Sequence, residues 1–127
     1  MRIAIAFALI TMLGCHDASD DVTPPVAQVA GTYVLSAIDG APLPATYFST
    51  VKIASSRLVV VDAGTWTETR TSDTAGKVET ATYFGTWKRT GSTLEFSVGA
   101  TPFYAGAATS SGLRLDTGSK IFTYSRE

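Results

Sequence analysis

From residue 30 onward the chain alternates. In "TLEFSV" (93–98), Leu94, Phe96 and Val98 fall on one side of an extended strand and Thr93, Glu95 and Ser97 on the other. This period of two marks a strand with one dry and one wet face. Strand-like runs recur at "GTYVLSAI" (31–38), 48–54, "RLVVVD" (57–62), "TWTETRTS" (65–72), 78–89, 103–109, 113–116 and 120–126. Between them stand turn signals: Asp39-Gly40 with Pro42 and Pro44, Ser55-Ser56, Ala63-Gly64, "DTAGK" (73–77), Thr90-Gly91-Ser92, and the short "SSG" and "TGS" segments. No window after residue 30 carries a 3.6-residue apolar period. The pattern predicts an all-β domain of eight or nine short strands joined in sequence, an up-and-down antiparallel meander. A meander of that size either closes or exposes two edges, and closure removes both. A small barrel is therefore expected. A sandwich would want a long crossing connection, and only residues 39–47 offer one.

Three local readings sharpen this picture. "RLVVVD" is almost continuously apolar and is expected to be covered on both faces or lightly exposed. Gly85, inside the long run 78–89, predicts a bulge or bend. In the fourth strand Trp66, Glu68 and Arg70 share a face, and Thr65, Thr67, Thr69 and Thr71 share the other. Either Glu68 and Arg70 follow Trp66 inward, or the strand projects past the rim with both faces wet. The polar arms of "TETRTSDTAGKVETAT" favour the projecting hairpin. A Gly-Thr-aromatic echo also runs through the domain, at Gly31-Thr32-Tyr33, Gly64-Thr65-Trp66 and Gly85-Thr86-Trp87. Rings placed this way are expected to pack into the core, where aromatic side chains supply most of the burial in a small domain.

The first thirty residues read differently. Arg2 precedes an apolar run from Ile3 to Leu13. That run is too short to span a bilayer, which takes ~20 apolar residues, and has the length of a signal-peptide core. Met12-Leu13-Gly14-Cys15 then resembles the bacterial lipobox, whose cysteine is lipidated and becomes the new N-terminus after cleavage. Cys15 is the only cysteine, so no intramolecular disulfide can form. Acyl chains on Cys15 would be the membrane contact; more than one chain is needed for a stable hold, at ~0.8 kcal/mol per buried CH₂. "HDASDDVTPPVAQV" (16–29) has the Asp and Pro content of a disordered linker. The expected organisation is a signal-peptide helix at 1–14, a lipidated Cys15 with linker to 29, and a barrel at 30–127. The expected location is the bacterial cell envelope, lipid-anchored on the periplasmic or outer-membrane side.

Composition limits what such a domain can do. Nine Lys or Arg against eight Asp or Glu leave residues 30–127 at +1. There is no basic stripe to suit nucleic acid, and a monomer is expected. The domain holds neither Cys nor His, since His16 lies on the linker. Thiol chemistry, Ser-His-Asp hydrolysis and most zinc sites are thereby removed. No metal, cofactor or enzyme activity is expected. Facing carboxylates, as a glycosidase needs, are the one catalytic arrangement the composition leaves open.

"GTYVLSAIDGAPLP", "LVVVDAGTWTET", "GTWKRTGSTLEF" and "FTYSRE" together resemble the lipocalin-like domains of small bacterial envelope lipoproteins, across residues 30–127. The resemblance implies a lipocalin-like barrel. It also implies a barrel-closing set of Gly31, Tyr33 and Arg126, with the arginine lying over the first-strand ring. On this reading the function is non-catalytic. A small apolar ligand would sit in the barrel mouth among Tyr33, Trp66, Tyr83, Trp87, Phe96, Phe103 and Tyr104. The alternative is a packed barrel without a pocket, serving as a structural or protein-interaction module of the envelope.

Overall fold

The computed structural model describes residues 26–127. The expected signal peptide at 1–14, Cys15, His16 and most of the expected linker lie outside the described residues. One helical turn, Val26–Val29, leads into ten strands. They are β1 (Gly31–Ile38), β2 (Ala41–Pro42), β3 (Ala45–Phe48), β4 (Val51–Val60), β5 (Thr65–Thr74), β6 (Lys77–Thr90), β7 (Thr93–Val98), β8 (Thr101–Ala108), β9 (Gly112–Asp116) and β10 (Ile121–Arg126). From β4 to β10 each strand pairs antiparallel with the next. β10 then pairs with β1, from Tyr33↔Arg126 to Ile38↔Phe122, and β1 pairs with β4, from Gly31↔Val60 to Val34↔Arg57. Eight strands, β1 and β4 to β10, thus close into a barrel. The stretch 39–47, read above as an irregular connection, contributes the extra strands. β2 hangs on the end of β1 and β3 on the start of β4. Pro42 fits there because an edge position requires no donated ladder bond.

Period-two alternation governs which side chains fill the barrel, and bulges reset it. Along β4, Ile53 is buried, Ala54 and Ser55 are exposed, and Ser56, Leu58 and Val60 are buried. The pairing register slips between Ile53 and Ser55. One extra residue there moves every later side chain to the opposite face. Ser55-Ser56 is therefore not a turn: the two runs on either side form one strand, and the bulge aims Ser56 inward. "RLVVVD" is not covered on both faces either. Leu58 and Val60 point in, while Val59 and Val61 are exposed. Val98 also departs from its expected dry face. It is exposed beyond a register slip between Phe96 and Ser97 in the β7–β8 pair. The ladder of β6 with β5 runs unbroken through Gly85, so the glycine serves a close approach and not a bulge. A Cβ there would lie 1.8 Å from the Ser97 carbonyl oxygen and 3.1 Å from the Trp66 indole nitrogen.

The three rings of the Gly-Thr-aromatic echo, Tyr33, Trp66 and Trp87, are all buried. Each spends its polar atom on a main-chain carbonyl. Tyr33 Oη donates to Val29 O at 2.5 Å, Trp66 Nε1 to Thr86 O at 3.0 Å, and Trp87 Nε1 to Val61 O at 2.7 Å. Burying a large ring with its one donor satisfied gives area without leaving a polar group unpaired.

The β5–β6 hairpin extends past the barrel, but only its outer part is wet on both faces. Lys77 to Thr82 are exposed, whereas Trp66, Glu68 and Arg70 at its base are buried. The expectation of a fully wet strand fails at those three residues because β4 and β10 roof them with Ser56, Leu58, Phe122 and Tyr124. Gly31, Val60, Trp66 and Gly85 share one level across the registers. The chain enters the barrel at that level, and the hairpin tip lies at the other end.

Candidate functional site

Inward parity on β5 carries Glu68 and Arg70 into the barrel behind Trp66. Glu68 is fully buried and Arg70 is 7% exposed. Charges in such a place need partners, since an isolated buried ion costs several kcal/mol. Glu68 has four donors. Ser56 Oγ donates to Oε2 at 2.5 Å, Tyr124 Oη donates to the same oxygen, Tyr104 Oη donates to Oε1 at 2.5 Å, and Arg70 Nη2 donates to Oε1 at 3.0 Å. Arg70 Nη2 also donates to Tyr104 Oη at 2.5 Å. The guanidinium carbon lies 5.4, 5.0 and 5.2 Å from the ring centres of Tyr47, Tyr83 and Phe122. These distances are in the range of cation–π attraction. Strands β3, β6 and β10 therefore build an aromatic cage, and the chain's own arginine fills it. Only Nε of this guanidinium is buried without a hydrogen-bond partner among the described residues.

The electrostatics follow from this packing. Burial raises the pKa of both Tyr104 and Tyr124, and the adjacent Glu68 carboxylate raises it further. Both hydroxyls thus stay protonated and serve as donors. Burial pulls Arg70 down, but the Glu68 charge together with Tyr104, Tyr124 and Tyr83 more than offsets it, and the guanidinium is held above its ordinary value. The set is a closed, charge-balanced network. Among the hydrogen bonds and ion pairs of the described residues, no second carboxylate meets Glu68. No group of three or more His, Cys, Asp or Glu side chains able to hold a metal ion occurs among the described residues.

Six of the seven rings proposed to line a mouth come together. Trp66 packs on Phe96, Phe103 and Tyr104 with centres 5.9, 5.3 and 6.2 Å apart. Trp87 stacks on Phe96 at 6.3 Å, and Tyr83 on Phe103 at 5.2 Å. These rings touch one another and do not frame one open space. Tyr33 is elsewhere, under Arg126. That guanidinium lies 4.9 Å above the Tyr33 ring and donates to Tyr33 Oη at 2.7 Å, to Ala30 O at 3.1 Å and to Gln28 O. Gly31 leaves it room, since a Cβ there would fall 2.6 Å from Arg126 Nη1. Burial raises the Tyr33 pKa, and Arg126 offsets part of that rise. Gly31, Tyr33 and Arg126 thus latch the seam between β1 and β10 and satisfy carbonyls that the helical turn leaves unpaired at its end. Ser56, Tyr47, Phe122 and Tyr124 went unnoticed in the sequence as members of any site. For Ser56 the signal was hidden behind a bulge; for Tyr47 it lay in a stretch read as loop.

A groove of about 680 Å³ opens beside β8 and β9, lined by Phe103, Ala105, Ala107, Arg114, Asp116 and Ile121 among others. Ala105, Arg114 and Asp116 are exposed and alternate with buried Tyr104, Leu113 and Leu115. The groove therefore lies on the outer wall. Comparison of the chain with protein-family models, curated proteins and solved structures gave no match.

Proposed function

We propose that this chain is a lipid-anchored, non-catalytic barrel of the bacterial cell envelope that works through its outer surface. One observation carries the reading: Arg70 occupies the aromatic cage at the hairpin end of the barrel, paired with Glu68. A ligand entering there would have to displace a guanidinium held by a carboxylate and three rings. The anchor rests on Met12-Leu13-Gly14-Cys15. Because the chain enters the barrel at the end opposite the hairpin, an anchored domain would hold the hairpin away from its attachment, where other proteins can reach it. Labelled palmitate should enter the wild-type chain and not Cys15→Ser. Native mass spectrometry of the full chain, released gently from membranes, should show the lipidated protein with no further small molecule.

A second reading has its own observation. The outer groove is large enough for a small apolar ligand, since typical sites occupy about 300–1,000 Å³. A co-purified molecule of a few hundred daltons, lost on Ala105→Trp, would move the function there.

A further inference from the structure

A closed barrel should have no free edge, yet β6 leaves one. It spans Lys77–Thr90 and pairs with β5 from Thr86 to Lys77. On its other side β7 covers only Thr86–Thr90. Residues 78–84 thus expose one row of backbone donors and acceptors with no strand against them, among the described residues. Such edges template strand addition unless they are blunted by proline, bulges or dense charge. The unpaired half of β8 is blunted, with Pro102 and a register slip beside Phe103. The β6 edge is not. Its ladder is regular, it has no proline, and Lys77 and Glu79 already pair with each other at 3.0 Å.

The sequence of that edge selects its occupant. "VETATYF" (78–84) is nearly a palindrome about Ala81. Val78, Thr80, Thr82 and Phe84 face outward, and Val78 and Phe84 are 63% and 70% exposed. We propose that the β6 edge pairs antiparallel with the β6 edge of a second copy, on a two-fold axis through Ala81. Opposite residues then sum to twice 81, so each Val78 meets the partner's Phe84 and each Thr80 the partner's Thr82. Both exposed apolar side chains find an apolar neighbour, and a small residue sits at the axis. Moving the axis by one residue puts Phe84 opposite Gly76 or Thr80 and loses both contacts. No like charges face each other, since Glu79 lies opposite Tyr83. The four-stranded extension β3-β4-β5-β6 becomes a continuous sheet across both copies, and this replaces the monomer expected from composition.

The contact is small. About eight residues a side falls well below the 20–30 of a standard interface, so pairing is weak in dilute solution. Antiparallel pairing puts the two chain entries at opposite ends of the shared sheet, so copies held on one membrane pair with their strands along its surface, at a far higher effective concentration. The inference rests on the proposed function in taking the hairpin end as the working face and the anchor as what brings two copies together.

The test uses the full-length chain in membrane vesicles with Cys15 intact, so that the anchor supplies this concentration; the acylated Cys15 sulfur is no free thiol, and the wild-type chain reports any cross-link through it. Residues facing each other across an antiparallel pair have Cα atoms about 4.5–5.5 Å apart, inside the range a disulfide bridges. Ala81→Cys should therefore form a covalent dimer under mild oxidant at least tenfold faster than Thr82→Cys, whose two copies lie two register positions apart. A mixture of Val78→Cys and Phe84→Cys chains should cross-link, while neither does so alone. Equal rates for Ala81→Cys and Thr82→Cys, or no mixed Val78–Phe84 dimer, would overturn the proposal. The two readings fail separately. Absent cross-links with an empty barrel in native mass spectrometry remove only self-pairing; a bound interior ligand removes the proposed function whatever the cross-links show.

Discussion

Replacing Arg70 by methionine tests whether the barrel interior is held by a charge-balanced network. Methionine keeps much of the stem against Tyr47, Tyr83 and Phe122 but removes the guanidinium. Glu68, with no exposed surface, would then be an uncompensated buried carboxylate. Breaking a buried pair in this way costs ~3–5 kcal/mol. Here the lower end applies, because Ser56, Tyr104 and Tyr124 still donate to the carboxylate and hydrogen bonds to a charged group retain ~1.5–3 kcal/mol each. A loss of ~3 kcal/mol is a large share of the ~5–15 kcal/mol that stabilises a domain. It should lower Tm by roughly 12 °C or more. Adding Glu68→Gln to Arg70→Met removes the orphaned charge but keeps an acceptor for the hydroxyls. The double variant should recover ~2 kcal/mol relative to Arg70→Met, and with Glu68→Gln measured alone the cycle gives the coupling between the two side chains. Urea melts followed by the fluorescence of Trp66 and Trp87, both buried, give each value. A cost below about 1 kcal/mol for Arg70→Met, or strict additivity in the double variant, would refute the reasoning.

Alkaline pH provides a second probe. Tyr104 and Tyr124 have folded pKa values raised above the ordinary tyrosine value of 10.0, so above pH 10 the unfolded chain loses protons that the folded chain keeps. Stability should be level with respect to these groups below pH 10 and fall above it, by up to ~1.4 kcal/mol per pH unit for each tyrosine. Urea midpoints from pH 9 to 11.5 read this slope, and Tyr124→Phe should flatten it; an unchanged slope contradicts the assignment. Gly85→Ala places a Cβ 1.8 Å from the Ser97 carbonyl and should cost at least the ~1–3 kcal/mol of overpacking, whereas a neutral thermal melt would show that the two strands separate freely. Arg126→Ala removes the cation from above Tyr33 and its bonds to Ala30 O and Gln28 O. Loss of the cation–π contact alone is worth ~0.5–2 kcal/mol, and amide exchange at Gly31 and Thr32 should quicken while the β5–β6 ladder stays protected; uniform acceleration throughout would mean the latch governs global folding.

Where period two runs undisturbed, the sequence shows the fold directly. Leu94 and Phe96 point inward as their spacing demands, and the turns at Ala75-Gly76 and Gly91-Ser92 fall at breaks in the pattern. It misleads where one extra residue enters a strand. Ser55-Ser56 looks like a turn because two polar residues interrupt an apolar run, yet the slip between Ile53 and Ser55 keeps the strand continuous. That same slip delivers Ser56 to Glu68. A bulge changes no residue type, so only the facing strand reveals it. The buried ion pair was hidden for a related reason. Glu68 and Arg70 share parity with Trp66, and parity alone required all three to point the same way. Polar composition argued the opposite, because charges prefer water unless partners await them. The partners come from β4, β8 and β10, far away in sequence, and no local pattern announces them. The hairpin carries both lessons at once. Its base obeys parity on both faces: Trp66, Glu68 and Arg70 point in and are buried, while Phe84, opposite Thr67, and Val78, nearer the tip, take the outer face and stay in water. Apolar side chains on an outward face, beside an edge that no strand of the chain covers, are what a second copy's strand would cover.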